Sequence, residues 1–251
     1  MNWQGEEMKS ILSKMPETPA RESFRPYLKT ITLRNQSFRF FFATPEARDW
    51  YDPLKPYAKL EYEWVIDHIP LADQRIIDGG AHHGQYAVLF GLASAGSSRV
   101  VAVDAVESNC AITEVNLALN GLKAEIVRSA ISQVDGFVKF SPESNGHIVA
   151  NGGEPVPSRR LMSILPDATV VKLDVEGAEF WILPDAIDVM PAVRHWIVEV
   201  HPTARRDART LTRLFEERDY RLHWVNRATG VIEKYPEAAI WTTHTTIFAS
   251  R

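Results

Sequence analysis

What most constrains the fold of this chain is an alternation of short apolar runs and helical periods that begins at Arg75. Arg75-Ile76-Ile77 is brief and apolar, and it ends at Asp78 and a glycine turn. An apolar helical segment, Gly84 to Ala95, follows directly. Arg99 to Val103 repeats the pattern and ends at a second acid, Asp104. Glu107 to Asn120 then carries Ile112, Val115 and Leu119 at helical spacing, with Asn120-Gly121 as a stop signal. Glu125 to Val127 reads as a third strand and Phe137 to Phe140 as a further one. The rhythm resumes with Thr169 to Leu173, a helix after Glu179, and the strand Trp196 to Val200. A helix from about Arg206 to Glu217 turns Leu211, Leu214 and Phe215 inward, and Tyr220 to Val225 and Thr245 to Ala249 close the pattern as strands. Strands alternating with helices at this spacing predict a mostly parallel sheet with helices on both faces.

The region before this pattern reads differently. Residues 1 to about 26 are polar and Pro-bearing, as in a loosely held arm. Ile31 to Arg34 and Ser37 to Phe42 flank Asn35-Gln36 and read as a hairpin, and Leu60 to Ile69 as a helix closed by Pro70. The expected organisation is therefore an arm, hairpin and helix over residues 1–70, packed on an α/β domain at 71–251. Residues 142 to 158 are rich in Pro, Gly, Ser and Asn and hold no periodicity; they read as a long loop covering a site. Trp50, Trp64, Trp181, Trp196, Trp224 and Trp241 read mostly as core.

Composition removes several function classes. The formal net charge of −4 carries no electrostatic footprint for a nucleic acid. Cys110 is the single cysteine, so neither an intrachain disulfide nor a cysteine zinc site can form within the chain. The first residues lack the basic start and apolar run of a signal peptide, and the most apolar stretch, Tyr86 to Ala95, is too short to span a bilayer. The cytoplasm is the expected location, and the sequence leaves the oligomeric state open.

In sheets of this kind ligands sit beyond the carboxyl ends of the strands. The first strand-to-helix turn reads Asp78-Gly79-Gly80-Ala81-His82-His83-Gly84, which departs from G-x-G-x-x-G. A dinucleotide would set its pyrophosphate at the following helix N-terminus, where a leading carboxylate repels it. S-adenosylmethionine has no phosphate, and its ammonium and sulfonium are cationic. Asp78 is thus an expected partner for such a ligand, with Gly80 and Gly84 allowing close backbone approach. Ala81 and His82 complete the turn, the backbone of the His82-His83 pair serving the ligand. Asp104, followed by Ala105, stands about where an acid binds ribose hydroxyls in nucleoside-binding sheets. Further on, Val171 to Glu179 ends a buried-type strand in three acids over six residues, Asp174, Glu176 and Glu179. Such a cluster needs solvent, cations or a ligand. Glu199 and His201 follow the next strand.

Taken together, IIDGGAHHG, VVAVDAVESN, NLALNGL, VVKLDVEGAE and IVEVHP resemble the FkbM family of methyltransferases in order and spacing, across roughly Ile31 to Ala249. The resemblance implies a class I methyltransferase fold: a Rossmann-like three-layer sandwich with a mostly parallel seven-stranded sheet whose last strand is antiparallel. It implies S-adenosylmethionine as methyl donor, and a hydroxyl on a sugar, glycan or polyketide-type small molecule as acceptor. Asp78, Gly80 and Gly84 match the family's first motif, and Asp104 its ribose-binding acid, where Glu is more usual. Ser129 and Ala130 match the place where adenine is contacted. Met162 stands where the family often has aspartate, and the loop with His147, Glu154, Arg159 and Arg160 is individual to this chain; both differences are expected near the acceptor site.

Methyl transfer to a hydroxyl needs alignment of donor and acceptor and a base within reach. Asp174 is the first choice at the transfer centre, followed by Glu199 and by His201, whose ordinary pKa suits a base near neutrality. Glu176, Glu179 and Glu199 read equally as ion-pair partners that fix loops. The same acids with His201 offer a divalent metal site, a reading not favoured because no tight ligand spacing compels it. Arg205, Arg206, Arg209 and Arg213 read as a solvated helix face. Two other classes stay open: a dinucleotide-dependent oxidoreductase on the same fold, and a catalytically silent methyltransferase-like binding module.

Overall fold

The structure, a computed structural model, describes residues 24–34, 36–141, 146–202, 208–226, 229–234 and 244–251. Trp241, Arg205, Arg206 and most of the N-terminal arm lie outside them. Strands β1 (Tyr27–Leu33) and β2 (Gln36–Phe42) form the expected antiparallel hairpin, and α1 (Pro45–Tyr51) and α2 (Pro56–His68) come next. Each helix starts with proline at its first position, and Thr44 caps α1 by accepting a hydrogen bond from the Ala47 amide.

The βα pattern then unfolds as β3 (Arg75–Gly79), α3 (Gln85–Ala93), β4 (Arg99–Asp104), α4 (Glu107–Leu119) and β5 (Glu125–Arg128). After β6 (Ala130–Ile131), β7 (Gly136–Phe140), β8 (Glu154–Arg159) and α5 (Leu161–Ile164) come β9 (Val170–Leu173), α6 (Glu179–Ala186) and β10 (His195–Val200). The chain closes with α7 (Arg209–Glu216), β11 (Arg221–Asn226), β12 (Val231–Lys234) and β13 (Thr245–Ser250).

The main sheet has the order β12-β11-β13-β10-β9-β3-β4-β5. β5, β4, β3, β9 and β10 run parallel, and β13 is inserted antiparallel between β10 and β11. The sheet has eight strands rather than the expected seven: β12, a short half-polar Val-Ile-Glu-Lys run, adds to the edge through a hairpin with β11. The strand order reverses at β3, which has β4 on one side and β9 on the other, so a crevice opens there.

Side chains alternate between two cores. Trp196, Val198 and Val200 of β10 join Ile182, Leu183, Leu211 and Phe215 on the face covered by α6 and α7. Ile197 and Phe248 join Leu89, Phe90 and Val65 on the other face. Phe38, Phe40 and Phe42 of the hairpin belong to that second core, so the N-terminal elements and the sheet share one interior. Trp196 is fully buried, and Trp64 stacks on Phe248 with ring centroids 4.1 Å apart. Trp50, expected in the core, is 38% exposed.

The stretch 142–158 is not wholly loop. β8 pairs antiparallel with β7 and parallel with β6 in a small separate sheet. Pro155 and Pro157 sit opposite Lys139 and Phe137 within it. Prolines cannot donate to a ladder, which is why the composition reads as loop.

Candidate active site

A cavity of about 410 Å³ lies beyond the carboxyl ends of β3, β4, β9 and β10. One wall is built from three strand ends: Gly80, Ala81 and His82 after β3, Asp104 and Ala105 at the end of β4, and Ser129 and Ala130 after β5. The Gly80 and Ala81 amides donate to the Val103 carbonyl at 2.9 and 3.0 Å. The Asp104 carboxylate accepts from the His82 amide at 2.8 Å, the Val106 amide at 2.9 Å and Asn109 Nδ2 at 3.2 Å. The Ser129 amide donates to the Asp104 carbonyl at 2.9 Å. Asp104 therefore ties all three turns together. Burial pushes its pKa up to about 6, against these hydrogen bonds.

Gly80 has φ +71°, and a Cβ there would sit 1.8 Å from the Asp174 carbonyl oxygen. The turn lies flat against the end of β9, an approach only glycine permits. α4 clamps the same turn from behind, Thr113 donating to the His82 carbonyl and Asn116 to that of His83, both at 2.9 Å. The His82 and His83 rings stack at 3.9 Å, and burial holds both pKa values down, that of His83 to about 3. Neither ring carries a proton's charge at neutral pH.

Asp78 and Gly84 stand behind the wall rather than in it. Gly84 caps α3 with φ +78°. Asp78 is fully buried, with Lys172 Nζ 3.4 Å from its Oδ1. Burial raises the Asp78 pKa and the Lys172 charge opposes it. The cation that the sequence assigned to a ligand is supplied to Asp78 from within the chain. Lys172 also donates to the Gly80 carbonyl at 2.8 Å, lies 3.7 Å from Asp174 Oδ2, and sits over the Tyr86 ring at 5.4 Å. Burial works to lower its pKa, but Asp78, Asp174 and Glu199 raise it on balance.

Asp174, Glu199 and His201 do converge on the cavity. Glu179 is fully buried behind them: its Oε2 accepts the Gly177 amide at 2.9 Å and its Oε1 the His201 amide at 2.6 Å. Glu179 thus fixes the turn after β9 to the end of β10. His201 Nδ1 lies 3.3 Å from the same Oε1, and Nε2 lies 3.7 Å from Asp174 Oδ1 and 3.6 Å from Glu176 Oε2. Burial works to lower its pKa, but the Glu179 hydrogen bond and the Asp174, Glu179 and Glu199 charges carry it up to about 9. Among these carboxylates His201 is an imidazolium at neutral pH and has no free site for a proton, so it does not fit the role of neutral base.

The remaining wall comes from the N-terminal helices. Trp50, Tyr51, Glu61 and Tyr62 face the cavity together with Gln85 and Tyr86 of α3. Tyr51 OH is 3.0 Å from His82 Nδ1. Tyr62 OH donates to Gln85 Oε1, which directs the amide nitrogen away from it. Gln85 Nε2 and Tyr86 OH are buried without a hydrogen-bond partner among the described residues. Sequence reasoning missed these residues, Lys172 and His244. Only the apolar strand around Lys172 carried a signal, since a lysine inside such a run needs a buried anion. Phe140 and Ile148 reach the cavity from the 142–158 region and the strand before it. Met162 instead packs against the core around α6, Arg160 pairs with Asp185 at 3.1 Å, and neither they nor Arg159 line the cavity. The expectation that they border an acceptor site is corrected accordingly.

The family model for the methyltransferase FkbM domain matches residues 78–222. No curated protein sequence matches the chain. Among solved structures, the methyltransferase FkbM of Methylobacillus flagellatus KT superposes with a TM-score of 0.53 at 15% identity, covering 78% of this chain and 48% of that one. The present chain spans about half the length of that relative. A SAM-dependent methyltransferase from Agrobacterium tumefaciens gives 0.51 at 12% identity, covering 91% and 71%. At such identities the superpositions speak for the fold, which is that of class I methyltransferases. The matched segment spans the three strand-end turns tied by Asp104, the Asp174 loop and the Glu199–His201 strand end, and the chain belongs to the methyltransferase FkbM domain family.

Proposed function

We propose that the chain transfers a methyl group from S-adenosylmethionine to a hydroxyl oxygen of a sugar, glycan or polyketide-type small molecule. The observation that carries this reading is one cavity whose wall joins three strand-end turns tied by Asp104 to a set of carboxylates and aromatic rings. The three turns suit a nucleoside. The carboxylates and rings, with Gln85 Nε2 and Tyr86 OH, which have no hydrogen-bond partner among the described residues, suit a polyhydroxylated acceptor.

Asp104, Ala105, Ser129 and Ala130 would hold the donor's adenosine, and Gly80, Ala81 and His82 its methionine end. When bound, the donor would supply the methyl group and leave as S-adenosylhomocysteine, its S–C bond breaking as the C–O bond forms; Asp174, beside the glycine turn and open to the cavity, would take the acceptor's proton. Lys172 holds Asp78 neutralised and steadies Asp174 from the other side. The positively charged His201 keeps Asp174 and Glu176 from repelling each other.

Isothermal titration with S-adenosylhomocysteine, then methyl transfer to a panel of sugars and phenolic or aliphatic alcohols, tests the proposal. Saturable binding and a methylated oxygen are expected. Absence of binding by folded protein at millimolar ligand, or tighter binding of NAD(H), would sink it.

A further inference from the structure

Beyond the donor site, the chain brings together a set of metal-binding groups that its sequence keeps apart. Glu199 lies near the end of β10 and His201 just beyond it, and His244 immediately precedes β13, more than forty residues later. The antiparallel register pairs Val200 with Thr245, which sets His244 beside His201, their ring centroids 4.5 Å apart. One donor atom from each of Glu199, His201 and His244 lies within 4.8 Å of the others. Asp174 and Glu176 form a second such group that shares His201. Two donors each roughly 2.1 Å from a first-row ion stand roughly 3–4 Å apart. Small side-chain rotations therefore suffice to close the set around one ion.

The surroundings of His201 add an independent indication. Metal-bound histidines usually give their second ring N–H to a carboxylate, which fixes the tautomer and aims the other nitrogen. The fully buried Glu179 stands 3.3 Å from His201 Nδ1 and is itself pinned by two backbone amides. Nε2 is left turned toward Asp174 and Glu176, on the cavity side. Two imidazoles with a carboxylate suit a transition ion better than Mg²⁺ or Ca²⁺, which take oxygen ligands.

We propose that Glu199, His201 and His244 bind one divalent first-row transition-metal ion, with positions left open toward the cavity. Metal binding itself stands apart from methyl transfer; only the role of the open positions, which would take an oxygen of the acceptor, rests on that reading. In this arrangement the metal replaces the proton on His201, and Asp174 remains the base.

The test is titration of the tag-free, chelator-treated 251-residue chain with Co²⁺, read by calorimetry and by visible absorption. One ion per chain is expected, with ligand-field absorption that Zn²⁺ abolishes by displacement. His244→Ala, an exposed position, and the near-isosteric Glu199→Gln are each expected to weaken Co²⁺ at least tenfold while leaving the circular dichroism unchanged. Absence of saturable one-to-one binding, or affinity untouched in both variants, would overturn the proposal. S-adenosylhomocysteine titrated into the same samples separates the two readings: its binding without Co²⁺ binding removes only the metal site, and Co²⁺ binding without it removes only the cofactor reading.

Discussion

Replacing Gly80 by alanine is expected to damage this protein more than an identical change at Gly121, and the structure says by how much. Both glycines are left-handed, with φ +71° and +67°. That conformation costs an alanine about 1–2 kcal/mol. At Gly121 nothing lies within 4 Å of the added Cβ, so this cost stands alone. At Gly80 the Cβ would meet the Asp174 carbonyl oxygen at 1.8 Å and its carbon at 2.8 Å. Both are backbone atoms, and no rotamer change relieves them. Reaching ordinary contact, near 3.4 Å, requires the turn after β3 to move off the end of β9. That movement strains the hydrogen bond from the Asp174 amide to the Gly79 carbonyl, now 3.0 Å. Overpacking costs about 1–3 kcal/mol, and the weakened hydrogen bond about 1 kcal/mol more. Gly80→Ala should thus lose about 2–4 kcal/mol beyond Gly121→Ala in urea denaturation of the ligand-free protein. Gly84→Ala should fall between them, because its Cβ meets the Thr113 side chain rather than backbone, and relief there strains the Thr113 hydrogen bond to the His82 carbonyl. S-adenosylhomocysteine affinity should fall in Gly80→Ala and hold in Gly121→Ala. Equal losses of stability in the two variants would refute the packing argument.

Four further outcomes are expected. Asp104→Ala should weaken S-adenosylhomocysteine binding by about 1–3 kcal/mol in calorimetry, and an unchanged Kd would remove the residue from the donor site. Burial raises the Asp104 pKa to about 6, so the stability this group contributes is present below the ordinary carboxylate pKa and is lost as pH rises through about 6. Denaturation of Asp104→Asn should therefore show a shallower fall between pH 4 and 6 than the parent, and parallel curves would contradict this. Lys172→Met leaves Asp78 buried without its cation and should destabilise by about 3–5 kcal/mol, with partial recovery on adding Asp78→Asn; thermal melts showing no coupling between the two would disprove the pairing. Finally, residues 71–251 expressed alone should fail to fold. Removing Phe40, Phe42 and Val65, all fully buried, takes away about 5–8 kcal/mol of apolar burial, comparable with the whole stability of a domain. A cooperative melt of that fragment would show the N-terminal elements to be dispensable.

The parallel half of the sheet was legible because its signals are local. An apolar run ending in Asp-Gly, then a helical period, requires no knowledge of distant partners, and β3, α3, β4 and α4 fall within a few residues of expectation. β8 was hidden because its prolines mimic loop composition, and β12 because a short edge strand needs little apolar character. For the site, acids and a histidine at predictable strand ends marked Asp104, Asp174, Glu199 and His201 as wall residues. It could not tell that Asp78 turns inward to Lys172, since both readings put an acid at the same position. Nor could it supply His244, Tyr51 or Tyr62. Their approach depends on how β13 and the N-terminal helices pack, which is a property of the whole fold.

The direction of β13 has a consequence for how such a site can diversify. In the parallel strands the cavity is met at or just after the carboxyl end, as at Gly80, Asp104 and Asp174. An antiparallel strand inverts this relation: β13 brings in His244, the residue before its start, while its end at Ser250 is paired with His195 at the far rim. The register of β13 is held along its length, from Thr245 on Val200 to Ser250 on His195, so a change of residue at position 244 leaves the strand in place. That corner of the cavity can vary without disturbing the turns that would hold the donor.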